Sequence, residues 1–431
     1  MGVQCVQVAP CVGWLCPVGP ELEVWLTEVK VPWQAWYGDV EQDLSMPEGW
    51  QVSVAAMNDG EPIDHRRCEQ VLHSPTGTPP LEELAKKAHR ASIVVEDITR
   101  PCPTAQILPS VLASLRRGGL GHEQVRIIVG TGAHTFMRRA ELLKKIGPNI
   151  LENVVVSQHH PYENLEYLGE SRRGTPIYIN RHFLESDLRI AVGGITPHSF
   201  TGFSGGAKLV AVGIAGMDTI HANHKRAVAG EAGGVGNVAG NECRSDMEEI
   251  AERAGLAFIV AGVVNSRRQL AGVFAGHMIE AHRAAAEFAR RVYATPLPPP
   301  ADIGIFNAYP KDTDLVQAIN AFRAVDNRID TVVRQGGTVV IASACPEGAG
   351  FHLWAGPGGR LDLVYDQDRD FGGYRVMIYS PHLSYLEVKP TYPDNTFVFK
   401  SWQETIEELT RQHGMAASVT VFPCASLQMP A

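Results

Sequence analysis

The sequence predicts an α/β fold with two α/β domains, mainly parallel sheets, and an active site in the interdomain cleft. Short apolar runs alternate with helical segments along most of the chain, which is typical of parallel sheets covered on both faces. The 431 residues suffice for two or three domains of about 150 residues each. The run ATPLPPP, residues 294–300, predicts an extended linker because its prolines cannot form a helix. Small-molecule sites tend to lie between domains.

The N-terminal catalytic and cofactor-binding domain is expected over residues 23–295. β-Branched apolar runs predict its strands, and amphipathic runs predict its helices. The strands are predicted at 92–98, 125–132, 153–160 and 188–194, with two more around Asn265-Ser266, and the helices at 81–91, 138–148, 245–254 and 280–293. Residues 1–22 are rich in Cys, Pro and Gly and lack the basic start of a signal peptide, so we expect a disordered leader there.

The C-terminal α/β domain is expected over residues 296–431. Its strands are predicted at 302–308, 337–344, 375–380, 396–401 and 418–423, with a helix at 314–326. The first strand, loop and helix of this domain lie directly after the linker. Side chains at that entry are therefore candidates to face the first domain.

Composition excludes several classes of protein. A formal net charge of -9 argues against a nucleic-acid-binding protein, which would show a basic patch. No apolar run reaches the roughly 20 residues that span a bilayer, so no membrane partner is expected. The eight cysteines form no CxxC pair, which indicates free thiols in a reducing compartment and predicts a cytoplasmic protein.

One segment, Gly193–His224, concentrates the residue types that carry chemistry. Its histidines His198 and His224 bracket a glycine-rich turn and a single lysine, Lys208. An imidazole can act as a metal ligand or as an acid and base. An amine can anchor a cofactor covalently.

The glycine-rich turn is not a standard nucleotide loop. A P-loop would continue with Lys-Ser or Lys-Thr after glycine, whereas Ala207 precedes the lysine and Leu209 follows it. A GxGxxA run at 234–239 lacks the preceding strand that a dinucleotide fold requires. Gly205 and Gly206 still allow a sharp turn whose exposed amides can hold a phosphate; a purely structural loop is the alternative.

Two histidines follow the ends of predicted strands. His134 follows IIVGTGA, and His198 follows IAVGGITP. The residues just past the carboxyl ends of parallel strands line the ligand crevice. Two imidazoles could therefore flank one substrate carbon, one removing a proton while the other supplies one. Two hydrogen-bonded core histidines are the alternative.

A zinc site is a second interpretation of the same region. His221 and His224 lie three residues apart on a predicted helix and therefore share a face. Together with His198 they would supply the three ligands of a zinc hydrolase or lyase. The HxxH spacing alone does not decide between this interpretation and a structural pair.

Polar side chains from both domains are candidates to bind a substrate. Asp97 and Arg100 follow a predicted strand, and arginine offers a planar fork for a carboxylate. Across the linker, Gln317 and Asn320 share a helical face and could hydrogen-bond a substrate. An internal Asp–Arg ion pair and an exposed polar helix face are the alternatives.

The motifs together resemble the nickel-pincer-nucleotide-dependent lactate racemase family and its 2-hydroxy-acid racemase and epimerase relatives. The resemblance covers roughly residues 30–345 and is carried by DITRP (97–101), TGAH (131–134), GGITPH (193–198), GFSGGAK (202–208), NH (223–224), SDMEEIAE (245–252) and YPKDTDLVQ (309–317). It implies an isomerase that inverts the C2 centre of a 2-hydroxy acid by proton-coupled hydride transfer to the nickel cofactor. Enzymes that build this cofactor are the implied partners.

The resemblance also implies a role for each candidate residue. The cofactor, Ni pyridinium-3,5-bisthiocarboxylic acid mononucleotide, is attached covalently to the lysine at 208, and the histidine at 224 binds nickel. The remaining assignments are acid and base catalysis by His134 and His198, cofactor contacts by Asp97, Gly205 and Gly206, and substrate contacts by Arg100, Gln317 and Asn320. A non-catalytic cofactor-binding protein would use the same cofactor residues.

Two departures from the family pattern concern the substrate. Asn320 stands where the lactate enzymes carry a lysine, with Arg323 one turn further on. Thr135-Phe136 stands where they carry Arg-Pro. We therefore predict a larger or more hydroxylated 2-hydroxy acid than lactate, such as a sugar acid.

Overall fold

The computed structural model describes residues 28–64, 66–228, 233–354 and 371–431. The predicted leader at 1–22 lies outside these ranges. Two six-stranded sheets organise the fold, and their strands are mainly parallel. The predicted fold class is thus confirmed. Among the described residues, no helix is both long enough and apolar enough to cross a membrane.

The described chain begins with three short strands that pack on the second sheet. They are β1 (Glu28–Trp33), β2 (Val40–Ser45) and β3 (Gln51–Val54). β1 and β2 pair antiparallel, and β3 pairs in parallel with the strand Ser418–Phe422. Apolar side chains of this segment share a core with the second sheet. β3 therefore belongs to that sheet, whereas β1 and β2 form a separate two-stranded sheet packed on it, and the predicted domain boundary after residue 295 stays a prediction.

The next part of the chain forms the first six-stranded sheet, two separate two-stranded sheets and the helices around them. They comprise α1 (Arg66–His73), α2 (Leu81–Ala85), β4 (Ala91–Glu96), α3 (Thr104–Arg117), β5 (Val125–Gly130), α4 (Arg139–Ile146), α5 (Pro148–Asn153), β6 (Val155–Gln158), β7 (Leu165–Glu170), β8 (Pro176–Asn180), α6 (Arg181–Leu184), β9 (Leu188–Gly194), β10 (Pro197–His198), β11 (Gly202–Phe203), α7 (Lys208–Ala211), α8 (Met217–Arg226), α9 (Glu242–Arg253), β12 (Phe258–Val264), β13 (Leu270–Gly276) and α10 (Glu280–Tyr293).

The order of this sheet is β13-β12-β9-β4-β5-β6. β4 and β12 are buried along their whole length, which explains their unbroken apolar sequences. From β4 the chain builds outward to β5 and β6, then continues on the other side with β9 and β12. The strand order therefore reverses between β4 and β9, and a crevice opens beyond their carboxyl ends.

The second sheet follows the proline-rich linker. Its part of the chain comprises β14 (Ala294–Thr295), β15 (Ala301–Asn307), α11 (Leu315–Ala318), β16 (Val333–Ala342), β17 (Arg375–Tyr379), α12 (Tyr385–Val388), β18 (Phe397–Phe399), α13 (Trp402–His413), β19 (Ser418–Phe422) and β20 (Met429–Pro430). The order is β18-β17-β16-β15-β19-β3. Separate apolar clusters cover its two faces.

Two predicted helices are shorter than expected. The helix predicted at 81–91 ends at Ala85, and the amides of His89 and Arg90 instead donate to the carboxylate of Asp187. The helix predicted at 314–326 is α-helical only over Leu315–Ala318 and continues as a 3₁₀ helix over Ile319–Val325. This tighter winding aligns side chains three residues apart.

Candidate active site

A cavity of about 510 Å³ lies between the first sheet and the segment that follows β15. Loops after β4, β5 and β9 form one side, and α11 with the 3₁₀ helix forms the other. The cavity brings together nine of the predicted site residues, namely Asp97, Arg100, His134, His198, Gly205, Lys208, His224, Gln317 and Asn320. Gly206 lies behind this lining, against the ring of His282.

His134 is oriented by a buried carboxylate. Its Nδ1 donates to Oδ2 of Asp97 at 2.7 Å, while the amide and hydroxyl of Thr99 donate to Oδ1. Burial alone would raise the pKa of Asp97, but His134 and Arg100 hold it well below its usual range. Because Nδ1 is committed to the carboxylate, Nε2 of His134 is the atom available for proton transfer.

Arg100 links the loop after β4 to α11 across the cavity. Its Nη1 donates to the side-chain oxygen of Gln317 at 3.1 Å and to the hydroxyl of Thr99 at 2.8 Å. Its Nη2 lies 3.4 Å from Nε2 of His134. A carboxylate bound to this guanidinium would therefore lie next to the His134 base. The alternative of a simple Asp97–Arg100 ion pair is not what the contacts show, because Asp97 bonds to His134 and Thr99.

His198 and Lys208 face each other within the cavity. Nε2 of His198 lies 2.5 Å from Nζ of Lys208, and Nδ1 accepts from the amide of Phe200. Burial, then the charge on Lys208, places the pKa of His198 well below its usual range. Burial, then Arg100, does the same to the pKa of Lys208. Both shifts favour the uncharged forms, and an uncharged Lys208 is a nucleophilic amine.

His224 presents an unsatisfied nitrogen in an aromatic setting. Its ring packs edge-on against Phe200 and Trp354, at centroid distances of 5.6 and 5.2 Å. Its Nδ1 is buried without a hydrogen-bond partner among the described residues. Burial, then Lys208, lowers the pKa of His224 to about 3. A neutral imidazole with a free lone pair is a suitable metal ligand.

The neighbouring residue fixes the helix that carries this imidazole. Asn223 donates to the carbonyl of Cys243 and to the carboxylate of Asp246 on α9, at 3.2 and 2.7 Å. Ser171 and Thr175 also donate to Asp246. These buried bonds hold α8 in the rotation that turns His224 toward the cavity.

Two buried side chains that were not predicted from the sequence bond to the backbone of the glycine-rich turn. Arg244 is fully buried and donates to the carbonyls of Gly205 and Phe203. His282 bonds to the carbonyl of Ser204 at 3.0 Å and also contacts Arg244. The carbonyls of the turn therefore point inward, toward these side chains.

Gly205→Ala is expected to destabilise the fold through steric clash. Gly205 has φ +74°, and an added Cβ would lie 2.7 Å from the carbonyl oxygen of Gly194. Gly240→Ala is the matched control, because Gly240 has φ +68° with open space around it. In urea unfolding, Gly205→Ala should cost about 1–3 kcal/mol more than Gly240→Ala. Equal costs would show that backbone strain alone requires this glycine.

A buried ion pair couples two of the loops that line the cavity. Lys145 is fully buried, and its Nζ donates to Glu96 and to the backbone carbonyls of Arg100 and Cys102. The second carboxylate oxygen of Glu96 accepts the amide of Gly194 at 2.7 Å. This pair therefore joins the arginine loop after β4 to the histidine loop after β9.

Lys145→Met is expected to lower the free energy of unfolding by about 3–5 kcal/mol, because Glu96 would stay buried without its cation. Within the described ranges, its exposed neighbour Lys144 forms no ion pair; it donates to the carbonyl of Trp36 and lies over the ring of Tyr37. Lys144→Met should therefore cost less than about 1 kcal/mol in the same denaturant titration. A small effect of Lys145→Met would mean that water or rearrangement replaces the pair.

The sequence analysis did not identify residues 352–354, which form a strap across the site. His352 forms an isolated antiparallel bridge with His134, and their rings are 5.0 Å apart. The amide of Leu353 donates to the carbonyl of Ala133, and Trp354 packs on His224. No strand end or glycine turn in the sequence marks this strap as part of the site, so only the fold places it there.

The two residues that depart from the family pattern, Asn320 and Phe136, lie in different places relative to the cavity. Asn320 lines the cavity and donates to the backbone carbonyl of Gln317. Phe136 lies elsewhere, half exposed and against His160, so the expectation that it touches the substrate pocket is wrong. The turn after His134 directs it outward. Of the two departures, Asn320 is therefore the one placed to influence the shape and charge of the cavity.

The zinc interpretation lacks its ligand cluster. Within the described ranges, no group of three or more His, Cys, Asp or Glu side chains is placed to hold a metal. His198 and His224 line the cavity, whereas His221 is not part of its lining. The three histidines thus do not form the predicted set.

The fold and the site define an α/β protein whose cavity, at a strand-order reversal, is lined by two histidines, a buried lysine and an arginine. Residues 37–236 match the model of the lactate racemase N-terminal domain. The lactate racemase of Thermoanaerobacterium thermosaccharolyticum is 34% identical over 294 residues, 66% of this chain and 68% of that protein. The lactate racemase of Lactiplantibacillus plantarum is 30% identical over 400 residues, 87% of this chain and 93% of that protein. The chain belongs to the lactate racemase family and is an isomerase.

Solved structures show the same fold. The lactate racemase apoprotein from Thermoanaerobacterium thermosaccharolyticum superposes with a TM-score of 0.72 at 24% identity, covering 94% of this chain and all of that one. A Thermotoga maritima protein superposes with a TM-score of 0.65 at 18% identity, covering 85% and 98%.

Proposed function

We propose that the protein inverts the C2 centre of a 2-hydroxy acid, using a nickel-pincer nucleotide attached covalently to Lys208. The observation that carries the proposal is that one cavity holds His134, His198, Lys208 and His224 together. The family relatives are lactate racemases, which supports a hydroxy acid as the substrate. Enzymes that build the cofactor are the proposed partners.

The residues present fit this cofactor. Lys208 is a buried amine whose pKa lies well below its usual range, and Nδ1 of His224 is buried without a hydrogen-bond partner in the described part of the chain. We assign Lys208 to the covalent bond, His224 to nickel, and Asp97, Gly205 and Gly206 to supporting contacts. When bound, the cofactor supplies a reversible acceptor for the hydrogen on the α carbon of the substrate.

The protein supplies the proton transfers. Nε2 of His134 takes the proton of the substrate hydroxyl for one enantiomer, and its Nδ1–H···Asp97 bond stabilises the resulting imidazolium. His198 performs the same step for the other enantiomer from the opposite loop. The planar 2-oxo acid formed after loss of the hydroxyl and α hydrogens can be reduced on either face, so the centre is inverted.

Arg100 is the proposed anchor for the substrate carboxylate. Gln317 holds its guanidinium from the second domain, and the same amide can reorient toward a bound substrate. Asn320 places a neutral amide at the cavity wall where the lactate enzymes carry a lysine. This change favours a substrate larger or more hydroxylated than lactate. The site is thereby completed only when both domains are in place.

Chiral analysis of 2-hydroxy acids incubated with cofactor-loaded protein tests the proposal. We expect a single enantiomer to become a mixture of both at C2, and intact-protein mass spectrometry to show the adduct on Lys208. Loaded protein that leaves every acid optically unchanged would favour the non-catalytic cofactor-binding alternative. Unloaded protein is the control, because it should racemise nothing.

A further inference from the structure

A second arginine lines the cavity without a carboxylate partner. Among the described residues, Arg323 forms no ion pair, and its Nη1 donates to the carbonyl of Pro197 at 2.9 Å. Only 8% of the residue is exposed. Burial, then the charge on Arg100, lowers the pKa of Arg323 to about 9, so the guanidinium is still charged at neutral pH. An isolated buried charge is costly unless an anion compensates it.

The acidic side chains of the cavity are already occupied. Glu96 bonds to Lys145 and to the amide of Gly194. Asp97 bonds to His134 and Thr99. Neither carboxylate forms a hydrogen bond with Arg323 in the described part of the chain. The compensating anion is therefore expected to come from a bound molecule.

Arg100 and Arg323 contact different loops of the cavity. Arg100 is next to Nε2 of His134, whereas Arg323 bonds to the residue preceding His198. Gln317, Asn320 and Arg323 all line the cavity at intervals of three residues. Successive members of this polar row are about 5–6 Å apart along the helix axis. The row thus leads from the first arginine to the second.

We infer that the substrate is a 2-hydroxy acid carrying a second anionic group, bound by Arg323 while Arg100 binds the carboxylate at C1. This inference rests on the proposed function and narrows it. A carboxylate and a phosphate share the required chemistry, since each accepts two hydrogen bonds from a guanidinium. An uncharged tail of the same length would leave Arg323 uncompensated.

Matched substrate pairs test the inference on the cofactor-loaded enzyme. Malate and 2-hydroxybutyrate share a four-carbon chain, and 2-hydroxyglutarate and 2-hydroxypentanoate share a five-carbon chain. 3-Phosphoglycerate and glycerate supply the phosphate arm. In at least one pair, we expect kcat/KM for the member that carries the second anionic group to exceed that of its partner on the order of 100-fold. The productive pair identifies the second group as carboxylate or phosphate.

Arg323→Gln should remove most of that preference, mainly by raising KM, while activity on the partners that lack the second anionic group changes little. Arg328→Gln is the matched control, because Arg328 is an exposed arginine beyond the end of the same helix. Arg323→Lys should restore part of the preference. Intact-protein mass spectrometry of each variant reports whether cofactor is retained, independently of turnover.

Three results would overturn the inference. Partners lacking the second anionic group that are turned over as fast as those carrying it would contradict the inference but leave the racemase proposal intact. Loss of the cofactor adduct in Arg323→Gln would assign this arginine to a cofactor anion instead. Loaded wild-type protein that racemises no 2-hydroxy acid would defeat both proposals together.

Discussion

Lys208→Ala is expected to abolish both covalent cofactor attachment and racemisation. Lys208 is a buried amine in the cavity, and its neutral state is the nucleophilic form. After maturation with the cofactor-building enzymes, the intact mass of the variant should show no adduct. Activity should fall by at least about 10⁴-fold, because the cofactor carries the difficult step.

Two variants separate this chemistry from misfolding. Lys208→Arg keeps a long cationic side chain, but a guanidinium does not deprotonate to a nucleophile, so it should also stay unmodified. Lys225→Ala removes an exposed lysine from α8 and should accept the full adduct. An adduct on Lys208→Ala would place the attachment elsewhere and remove the basis of the proposed function.

Replacing either cavity histidine is expected to stop racemisation but to leave the oxidation of one enantiomer to the 2-oxo acid. His134→Ala and His198→Ala should each lose about 10³-fold in turnover, since a general base contributes 10²–10⁴-fold. In a single turnover, each variant should still form 2-oxo acid from one enantiomer, and the two variants should favour opposite enantiomers. Rapid quench with chiral substrates and trapping of the 2-oxo acid measures this.

The control for these variants is His160→Ala, since His160 lies at the surface beyond β6. It should retain wild-type activity. Asp97→Asn tests the orienting carboxylate, and it should depress the half-reaction of His134 more than that of His198. Equal losses from both enantiomers in every variant would contradict a division of labour between the histidines.

The sequence alone determined the regular parts of this protein. β9 spans Leu188–Gly194 and α10 spans Glu280–Tyr293, both as predicted, because buried strands and amphipathic helices follow local periodicity. The reactive residues were also visible, since motifs such as GFSGGAK are contiguous. Their position after strand ends implied a shared crevice, because parallel strands present their carboxyl ends at one edge.

Only the tertiary structure decided which distant segments meet. β3 joins the second sheet, and the strap at His352 reaches the loop of His134. Arg244 supports the glycine turn from another helix, and Arg323 enters the cavity beside Pro197. Periodicity and motifs predict whether a residue is buried and whether it lies in a particular turn. They do not report its partner, because pairing between remote segments depends on the packing of the complete chain.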